Sequence, residues 1–568
     1  MIRNRTRPIL FMGGLRYDHS MAQKCFHIVN RDSLLEIARG QCCYPGVGRP
    51  RAGCGTMSAM NASTDQTDTI GFLGDPRSHG GRTVERIDTH AALVFLAGPK
   101  AYKMKRAVRL PYLDFSTPEK RRAACEAELA LNRRTAPDLY ERVEAVVRRA
   151  DGRLALGGVG EVLDWVVVMR RFDSDRLFDR LADRGALTPD LMRRLAEAVA
   201  AFHAKAARRP DGGGAAAMRT VVSGNLDELR QRPDLFPPER VARLAERSEA
   251  ALARHAVLLD ARARDGLVRH CHGDLHLRNI VLHDGKPTLF DCIEFDEAFA
   301  VIDVLYDLAF LLMDLDRRGL RGQGNAVFNR YLEETGDLEG LALLPLFLAT
   351  RAAVRAKIDA TAAAVQPDPS KAQGLEAEAA AYLEQAVAAL EPPPPRLVAI
   401  GGLSGTGKTT LARGLAPGLG AAPGALVLRS DALRKHLMRV DETVRLPAEA
   451  YTPAVTQRVY AELARRAGVA LAAGHTVLAD AVYSRPEERA AIEAAARQAG
   501  AAFQGLWLET DLPARVARVD ARSGDASDAT AGVVRVQQGY ETGDIAWARL
   551  DADGDPAAVL YAAKGMLG

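Results

Sequence analysis

The chain of 568 residues is too long to fold around one hydrophobic core, so its length predicts two or three domains. Its 48% hydrophobic and 26% charged residues are typical of a globular protein in water, and no apolar run reaches the length of a membrane helix. A net charge of +4 argues against a nucleic-acid-binding surface, and seven cysteines without paired metal-ligand spacing argue against a disulfide scaffold. We therefore expect a cytoplasmic protein with no membrane or nucleic-acid partner.

Residues 1–70 mix glycine, proline, cysteine and arginine without a sustained hydrophobic period. A basic start and a short apolar patch faintly suggest a signal peptide, but no small-residue cleavage site follows. We expect a disordered extension, or upstream codons read in error with Met57 or Met60 as the true start. The mass of the intact native protein distinguishes these two alternatives.

Residues 71–390 are expected to form one domain, which opens with two strands around a Gly98-Pro99 turn and a helix over residues 118–134. Two lysines share one face of the second strand and two glutamates lie on the helix: Lys103, Lys105, Glu126 and Glu128. In the small lobe of protein kinases, a strand lysine contacts the α- and β-phosphates and pairs with a helix glutamate. Alone the pattern is weak, because a lysine on an edge strand is usually solvated.

A buried strand is predicted over residues 164–169, followed by helices over residues 188–206 and 238–263. A glycine- and alanine-rich stretch at 211–217 separates these helices and is predicted to be a loop. In a kinase-like fold the strand would lead to the hinge between the lobes, where the adenine site would lie.

The strongest signal in this domain is His272-x-Asp274-x4-Asn279, which has the spacing of a kinase catalytic loop. In that loop the aspartate accepts the proton of the substrate hydroxyl, and the asparagine is a Mg²⁺ ligand. The alternative is a polar turn that contains a structural histidine. The upstream lysine and glutamate favour the catalytic interpretation.

A hairpin is predicted directly after this loop, with its turn at Asp284-Gly285 and with His283 paired to Thr288. This pairing would bring Asn279 and Asp291 together at the open end of the hairpin. Hard oxygen ligands on adjacent strand ends suit Mg²⁺, whose remaining positions go to phosphate and water.

The run His272-Gly-Asp-Leu-His-x-x-Asn279, followed by Phe290-Asp-Cys-Ile-Glu-Phe295, resembles the aminoglycoside phosphotransferase and choline-kinase family of kinase-like enzymes. The similarity covers about residues 80–390. It implies a base, two metal ligands and a phosphate-binding lysine with its partner: Asp274, Asn279, Asp291, Lys103 and Glu128. Little separates Glu128 from Glu126 as that partner. Unlike protein kinases, the chain lacks a glycine-rich strand loop, so the sequence does not identify the residues that would cover the nucleotide.

Three further acids add negative charge near this site: Glu294, Asp303 and Asp307. They could bind a cationic substrate. Alternatively, Asp303 and Asp307, spaced four residues apart on an apolar helix, could only orient the active-site loop.

The proline-rich segment 391–395 is expected to be a stiff linker to a last domain, 396–568. That domain opens with a buried strand over residues 397–400 and a phosphate-binding P-loop sequence, Gly402-x4-Gly407-Lys408-Thr409. Backbone N–H groups of such a loop surround phosphate oxygens at a helix N-terminus, the lysine reaches the β- and γ-phosphates, and the threonine is a Mg²⁺ ligand. The expected nucleotide-binding residues are Gly402, Ser404, Gly405, Thr406, Gly407, Lys408, Thr409 and Thr410.

Two later strands are predicted to end in acids, Asp431 and Asp480, at the sheet edge that carries the P-loop. Asp480 would hold Mg²⁺ through water, whereas Asp431, with Arg434 one turn later, would activate or orient a substrate hydroxyl. Three arginines share a helical face, and either close over the phosphates or are merely solvated: Arg515, Arg518 and Arg522. Of these, Arg518 is the predicted nucleotide contact.

This order of motifs resembles small P-loop kinases such as gluconate kinase and adenylylsulfate kinase, and zeta-type toxins. We therefore predict a kinase-like, two-lobed α+β domain followed by an α/β P-loop domain with a parallel sheet. Each would use ATP and Mg²⁺ to phosphorylate a hydroxyl of a small molecule. The alternative is a nucleotide-gated regulatory or binding protein in which one or both domains lack such activity.

Overall fold

The computed structural model describes residues 65–89, 91–110, 113–521 and 526–568. The predicted extension 1–70 therefore lies almost wholly outside the described residues, and its end already belongs to the first helix. In chain order, the smaller lobe consists of α1 (Thr67–Gly74), β1 (Val84–Asp88), β2 (Ala92–Ala97), β3 (Lys100–Lys105), β4 (Arg109–Leu110), β5 (Leu113–Asp114), α2 (Pro118–Asn132), β6 (Tyr140–Arg148), β7 (Leu154–Leu156) and β8 (Glu161–Arg170).

The smaller lobe is built on a six-stranded antiparallel sheet with the strand order β1-β2-β3-β8-β6-β7. Both of its faces are buried, so successive residues of β2 enter different cores. Leu93 and Phe95 pack with Leu73 of α1, whereas Val94 packs with Cys125 of α2. Because β3 lies inside the sheet between β2 and β8, its lysines are not the solvated residues of an edge strand.

Helices dominate the larger lobe. It consists of α3 (Phe178–Asp183), α4 (Pro189–Lys205), α5 (Gly214–Arg230), α6 (Pro238–Arg264), β9 (Val268–His270), β10 (Ile280–His283), β11 (Lys286–Leu289), β12 (Val301–Asp303), α7 (Val304–Arg317), α8 (Arg321–Thr335), α9 (Leu344–Val365) and α10 (Pro369–Ala389). The predicted loop at 211–217 is wrong in its second half, because α5 begins at Gly214. Three alanines follow this glycine, and alanine is the strongest helix former, so the helix starts despite the glycines.

The hairpin after the catalytic loop has a different register from the predicted one. His283 pairs with Lys286, and Ile280 pairs with Leu289, so the turn holds only Asp284 and Gly285. Both turn residues have positive φ angles, 46° and 76°, as a two-residue hairpin turn requires. The predicted pairing of His283 with Thr288 would have needed a four-residue loop.

The last domain contains β13 (Arg396–Gly401), α11 (Lys408–Leu415), β14 (Leu426–Arg429), α12 (Ser430–Leu437), α13 (Pro453–Ala472), β15 (Val477–Asp480), α14 (Pro486–Gln498), β16 (Ala502–Glu509), α15 (Leu512–Asp520), α16 (Ala531–Gln537), β17 (Ala548–Asp551) and α17 (Pro556–Leu567). Its five strands are all parallel and lie in the order β14-β15-β13-β16-β17. The predicted fold class, a kinase-like α+β domain followed by an α/β P-loop domain, is confirmed. Within the described ranges, no helix is both long and apolar enough to cross a membrane.

Helix α8 of the larger lobe covers the open edge of β14. The side chain of Asn329 accepts a hydrogen bond from the Val427 N–H at 2.7 Å and donates to the Ala425 carbonyl at 3.2 Å. Asn325 donates to the same carbonyl at 3.0 Å. An edge strand normally exposes such backbone groups, and here two asparagines satisfy them. The two domains therefore meet through hydrogen bonds as well as apolar packing.

Glu442, in the loop after α12, adds ion pairs to this interface. Its carboxylate pairs with Arg429 at 3.0 Å within the P-loop domain. It also reaches Arg330 of α8 at 2.9 Å and Arg193 of α4 at 3.0 Å. One carboxylate thus joins helices of the kinase-like domain to the end of strand β14.

The interface predicts a pH-dependent stability through His475. Its ring is buried 5.0 Å from the Phe328 ring of α8, and its Nε2 contacts the Gly424 carbonyl at 2.9 Å. Burial lowers the pKa of His475 to about 4, from about 6.5 in an unfolded chain. The neutral, buried ring therefore contributes fully to the free energy of unfolding above pH 6.5, and this contribution is lost as the pH falls through about 4. The total loss is at most about 3 kcal/mol.

This prediction is checked by chemical unfolding of the wild type and of His475→Gln between pH 7.5 and 4. The glutamine cannot titrate, so the stability of the variant should fall less steeply through this window. Parallel pH profiles for the two proteins would contradict the assignment.

Candidate active sites

Two lysines of β3 meet one glutamate of α2 at the centre of the smaller lobe. Lys103 Nζ lies 2.7 Å from Glu128 Oε1, and Lys105 Nζ lies 2.6 Å from Glu128 Oε2. Lys105 also pairs with Glu294. Glu126, in contrast, is half exposed and pairs with Arg122 on the helix surface. The structure therefore distinguishes the two glutamates that the sequence left nearly equal, in favour of Glu128.

The opposite charges in this cluster keep one another ionised. Burial alone would lower the pKa of Lys103, but the carboxylates of Asp291 and Glu128 raise it above its usual value. Burial alone would raise the pKa of Glu128, but the two lysines bring it below its usual value. Lys103 is therefore a fixed positive charge, as a phosphate-binding group must be.

Replacing Glu128 by glutamine is expected to leave two buried lysines with one carboxylate fewer. Removing one partner of a buried pair is costly, so we expect a loss of about 3 kcal/mol in the free energy of unfolding. Glu126→Gln, on the same helix, should change it by less than about 0.5 kcal/mol because its ion pair is exposed. Urea unfolding of both variants checks this, and equal losses would contradict the role of Glu128.

The predicted catalytic loop brings Asp274 and Asn279 into contact. The Asn279 amide donates to Asp274 Oδ2 at 2.8 Å and to the Asp274 carbonyl at 3.0 Å. Asp274 Oδ1 is buried without a hydrogen-bond partner among the described residues, and His276 Nε2 lies 3.3 Å from Oδ2. Burial would raise the pKa of Asp274, but His276, His272 and Arg355 lower it below its usual value. The loop therefore presents an ionised carboxylate with one oxygen open to a donor.

Asp291 follows the hairpin and faces the lysine cluster. The Phe290 N–H donates to the Asn279 carbonyl at 3.0 Å, so the loop and the strand end run side by side. Asp291 has a φ angle of 63°, and its Oδ1 lies 2.6 Å from Lys103 Nζ. A non-glycine residue in this region is held there by its surroundings and is often found at functional sites. The convergence of Asn279 and Asp291 expected from the sequence thus survives the change of register.

Asp307 fixes the start of the catalytic loop. Its carboxylate accepts hydrogen bonds from the N–H groups of His272 at 3.0 Å and Gly273 at 2.9 Å. His203 Nε2 lies 3.1 Å away. Burial raises the pKa of Asp307, but the hydrogen bond to His203 and the neighbouring charges together lower it to about 2. Gly273 has a φ of 83°, and a Cβ there would lie 2.8 Å from the Phe299 carbonyl oxygen.

The three acids that could have bound a cationic substrate are already engaged. Asp303 is paired with Arg262 at 2.7 Å, Asp307 holds the loop, and Glu294 pairs with Lys105. The structure favours the orienting role for Asp307, which was one of the two alternatives.

The P-loop lies between β13 and α11, as predicted. The Thr409 hydroxyl donates to Asp480 Oδ2 at 2.6 Å, and Lys408 Nζ donates to the Leu403 carbonyl at 3.1 Å. Burial raises the pKa of Asp480, although Lys408 and Arg429 oppose this shift. The structure thus brings the hydroxyl and the carboxylate together at the carboxyl edge of a parallel sheet, and oxygen groups of this kind suit Mg²⁺.

Two residues from distant helices shape the P-loop, and sequence reasoning did not assign them this role. Gln537 Oε1 accepts a hydrogen bond from the Ser404 N–H at 2.7 Å. Arg515 is buried and donates to the Ser404 carbonyl at 2.9 Å. A Cβ on Gly405 would lie 2.5 Å from the Arg515 carbonyl oxygen, which explains the glycine. Arg515 is thus neither a lid nor a solvated residue.

The other predicted P-loop contacts divide into lining and shaping residues. Those that line the phosphate pocket are Ser404, Gly405, Gly407, Lys408, Thr409 and Thr410. Thr406 instead donates to the Leu403 carbonyl at 2.9 Å, and Gly402, with a φ of 136°, bends the chain. Arg518 donates to the Ala552 carbonyl and lies 3.9 Å from the Cβ position of Gly407. Arg522 is outside the described residues.

Asp431 lies between the phosphate pocket and a larger cavity. It belongs to the first turn of α12, two residues beyond the strand end where it was expected. It lines both the phosphate pocket and an adjoining cavity of about 1080 Å³. Arg434 lines the same cavity, donates to the Ala450 carbonyl at 2.7 Å and stacks over Tyr451 at 4.9 Å. This position suits a group that contacts both nucleotide and acceptor.

Comparisons with known proteins agree with this architecture. The model of the phosphotransferase enzyme family matches residues 106–344, and that of an AAA domain matches residues 397–541. The uncharacterized protein Rv2004c of Mycobacterium tuberculosis and protein Mb2027c of Mycobacterium bovis are each 31% identical over 468 residues, 80% of this chain and 90% of theirs.

Solved structures resemble parts of the chain. A choline/ethanolamine kinase family protein from Mesorhizobium loti is 18% identical and covers 57% of this chain and 99% of its own, with a TM-score of 0.35. The APS kinase CysC of Mycobacterium tuberculosis, in complex with AMPPNP and APS, is 23% identical and covers 31% of this chain and 98% of its own, with a TM-score of 0.24.

The fold and the two sites define a phosphotransferase domain of the kinase-like class joined to a P-loop domain. The chain belongs to the same family as the two mycobacterial proteins, and the fusion expected from its motifs is confirmed.

Proposed function

We propose that the chain is an ATP-dependent phosphotransferase with two nucleotide sites, each of which passes the γ-phosphate to a hydroxyl of a small molecule. The observation that carries this proposal is Asp274. It is an ionised carboxylate with one buried oxygen lacking a partner among the described residues, beside Asn279 and near the pair of Lys103 and Asp291. A general base needs an open oxygen of this kind.

In the kinase-like domain, Asp274 Oδ1 accepts the proton as the acceptor hydroxyl oxygen bonds to the γ-phosphorus and the bond to the β-phosphate oxygen breaks. Lys103 holds the α- and β-phosphates, with its charge maintained by Glu128. The oxygen groups at this site fit Mg²⁺. The Asn279 side-chain N–H donates to Asp274, which leaves the Asn279 side-chain oxygen as a hard ligand beside Asp291. Bound Mg²⁺ would neutralise charge that develops on the phosphate oxygens.

In the P-loop domain, Lys408 would contact the β- and γ-phosphates, while Thr409 and Asp480 would supply the metal ligands. Asp431 borders the cavity that would hold the acceptor and is the candidate group to accept its proton or orient it. Arg434 would hold an acceptor oxygen from the same wall.

Calorimetry with Mg²⁺ and a non-hydrolysable ATP analogue tests this proposal. We expect two sites on the wild type, one on Lys408→Ala, and one on Asp291→Ala, which removes a phosphate-side ligand of the other domain. If the wild type bound one nucleotide and Lys408→Ala bound none, the kinase assignment of the first domain would be overturned. It would favour the alternative in which that domain regulates or binds without catalysis.

A further inference from the structure

A small pocket lies next to His276, which contacts the proposed base Asp274. It is lined by the catalytic loop, α7, α9 and α10, and three of its residues are arginines: Arg278, Arg318 and Arg355. His276, whose Nε2 lies 3.3 Å from Asp274 Oδ2, forms the wall next to the base. His276 therefore connects this pocket to the proposed base.

Two of the arginines have close carboxylate partners. Arg318 donates to Asp314 at 2.9 Å, and Arg355 donates to Asp359 at 2.8 Å. Asp314 also accepts the Leu277 N–H at 3.0 Å, so its role is to brace the catalytic loop. These pairs leave little negative charge free to bind a cation.

Arg278 differs from the other two arginines. Its nearest carboxylate, Asp179, lies 3.7 Å away, and none of its nitrogens makes a hydrogen bond within the described residues. Guanidinium nitrogens that make no hydrogen bond are suited to binding an anion.

We propose that the acceptor whose hydroxyl proton is taken by Asp274 also carries an oxyanion group, a carboxylate or a phosphate. Arg278 binds this oxyanion group, with support from Arg355. The proposal rests on the proposed function of this domain. It predicts a substrate class opposite in charge to choline or an aminoglycoside.

Four small polyols of similar size distinguish the charges: glycerate, glycerol 3-phosphate, glycerol and 3-amino-1,2-propanediol. Their binding is measured by calorimetry on the full chain carrying Lys408→Ala, with Mg²⁺ and a non-hydrolysable ATP analogue present. We expect at least one anionic diol to bind about tenfold or more tightly than the neutral and cationic ones, as charge-assisted hydrogen bonds allow. Comparing glycerate with glycerol 3-phosphate shows which oxyanion the pocket prefers.

Arg278→Gln should abolish this preference, whereas Arg278→Lys should keep part of it by retaining the charge. Arg264→Gln, an exposed arginine at the end of α6, is the matched control and should change nothing. The proposal is overturned if the anionic diols bind no better than glycerol, if the cationic diol binds best, or if Arg278→Gln keeps the preference. Failure of the ATP analogue to bind the first domain would instead overturn the proposed function itself.

Discussion

Replacing Asp274 by alanine is expected to lower phosphoryl transfer at the first site by about 10³-fold, the usual contribution of a general base. The carboxylate is ionised, buried and open at Oδ1, and no other described carboxylate contacts Asn279 in this way. Lys103 pairs with Glu128 and Asp291, and the backbone carbonyl of residue 274 still accepts a hydrogen bond from Asn279, so the affinity for Mg²⁺-ATP should change little. The measurement is ADP formation in the Lys408→Ala background with an acceptor found by screening, together with calorimetry of nucleotide binding.

Asp274→Asn keeps the shape of the side chain and should lose as much activity with an unchanged melting temperature. Asp284→Asn, on the exposed hairpin turn, is the matched control and should keep full activity. If Asp274→Asn retained most of the transfer, the base would have to be another group. If Asp274→Ala removed every phosphoryl transfer by the wild-type chain, the two sites would not be independent.

Replacing Lys408 by alanine is expected to abolish transfer at the second site alone, with a loss of about 10²-fold or more. In the proposed function this lysine contacts the β- and γ-phosphates. Its removal is expected to have a second effect through Asp480. Burial raises the pKa of Asp480 and Lys408 opposes that shift, so the alanine variant should have a still higher pKa there. A metal ligand must be deprotonated. As the pH is lowered, any residual activity of the variant should therefore be lost at a higher pH than the activity of the wild type.

The pH profile of ADP formation by the second site, in the Asp274→Ala background, checks this expectation. Lys564→Ala, an exposed lysine on α17, is the control and should leave both rate and profile unchanged. An unshifted acidic limb in Lys408→Ala would contradict the electrostatic link to Asp480. Full activity in that variant would contradict the P-loop assignment.

Local motifs were predictable from the sequence because their working groups are close in the chain. The P-loop depends on consecutive backbone groups and on Lys408 and Thr409 directly after them, so the spacing alone defines the phosphate site. In the same way, Asp274 and Asn279 are five residues apart, and their contact at 2.8 Å follows from one short loop. The predicted hairpin register was wrong by two residues. The structure nevertheless holds Asn279 next to Phe290, the residue before Asp291, through a backbone hydrogen bond.

Contacts between distant segments needed the tertiary structure. Glu126 and Glu128 differ only in the helix face that each occupies, and the packing of α2 on the sheet decides that Glu128 meets both lysines. Gln537 and Arg515 hold the P-loop from helices more than a hundred residues downstream, where no local pattern marks them.

The sequence by itself determined that the chain contains a kinase-like catalytic loop and a P-loop in successive domains, because each motif is short and its chemistry requires those residue types at that spacing. Only the tertiary structure decided how the domains meet and what surrounds each site. Asn329 of α8 binds the edge of β14, and Arg278 lines a pocket together with residues of α7, α9 and α10. Both owe their roles to neighbours from remote parts of the chain, and the sequence pattern records no distance between such parts.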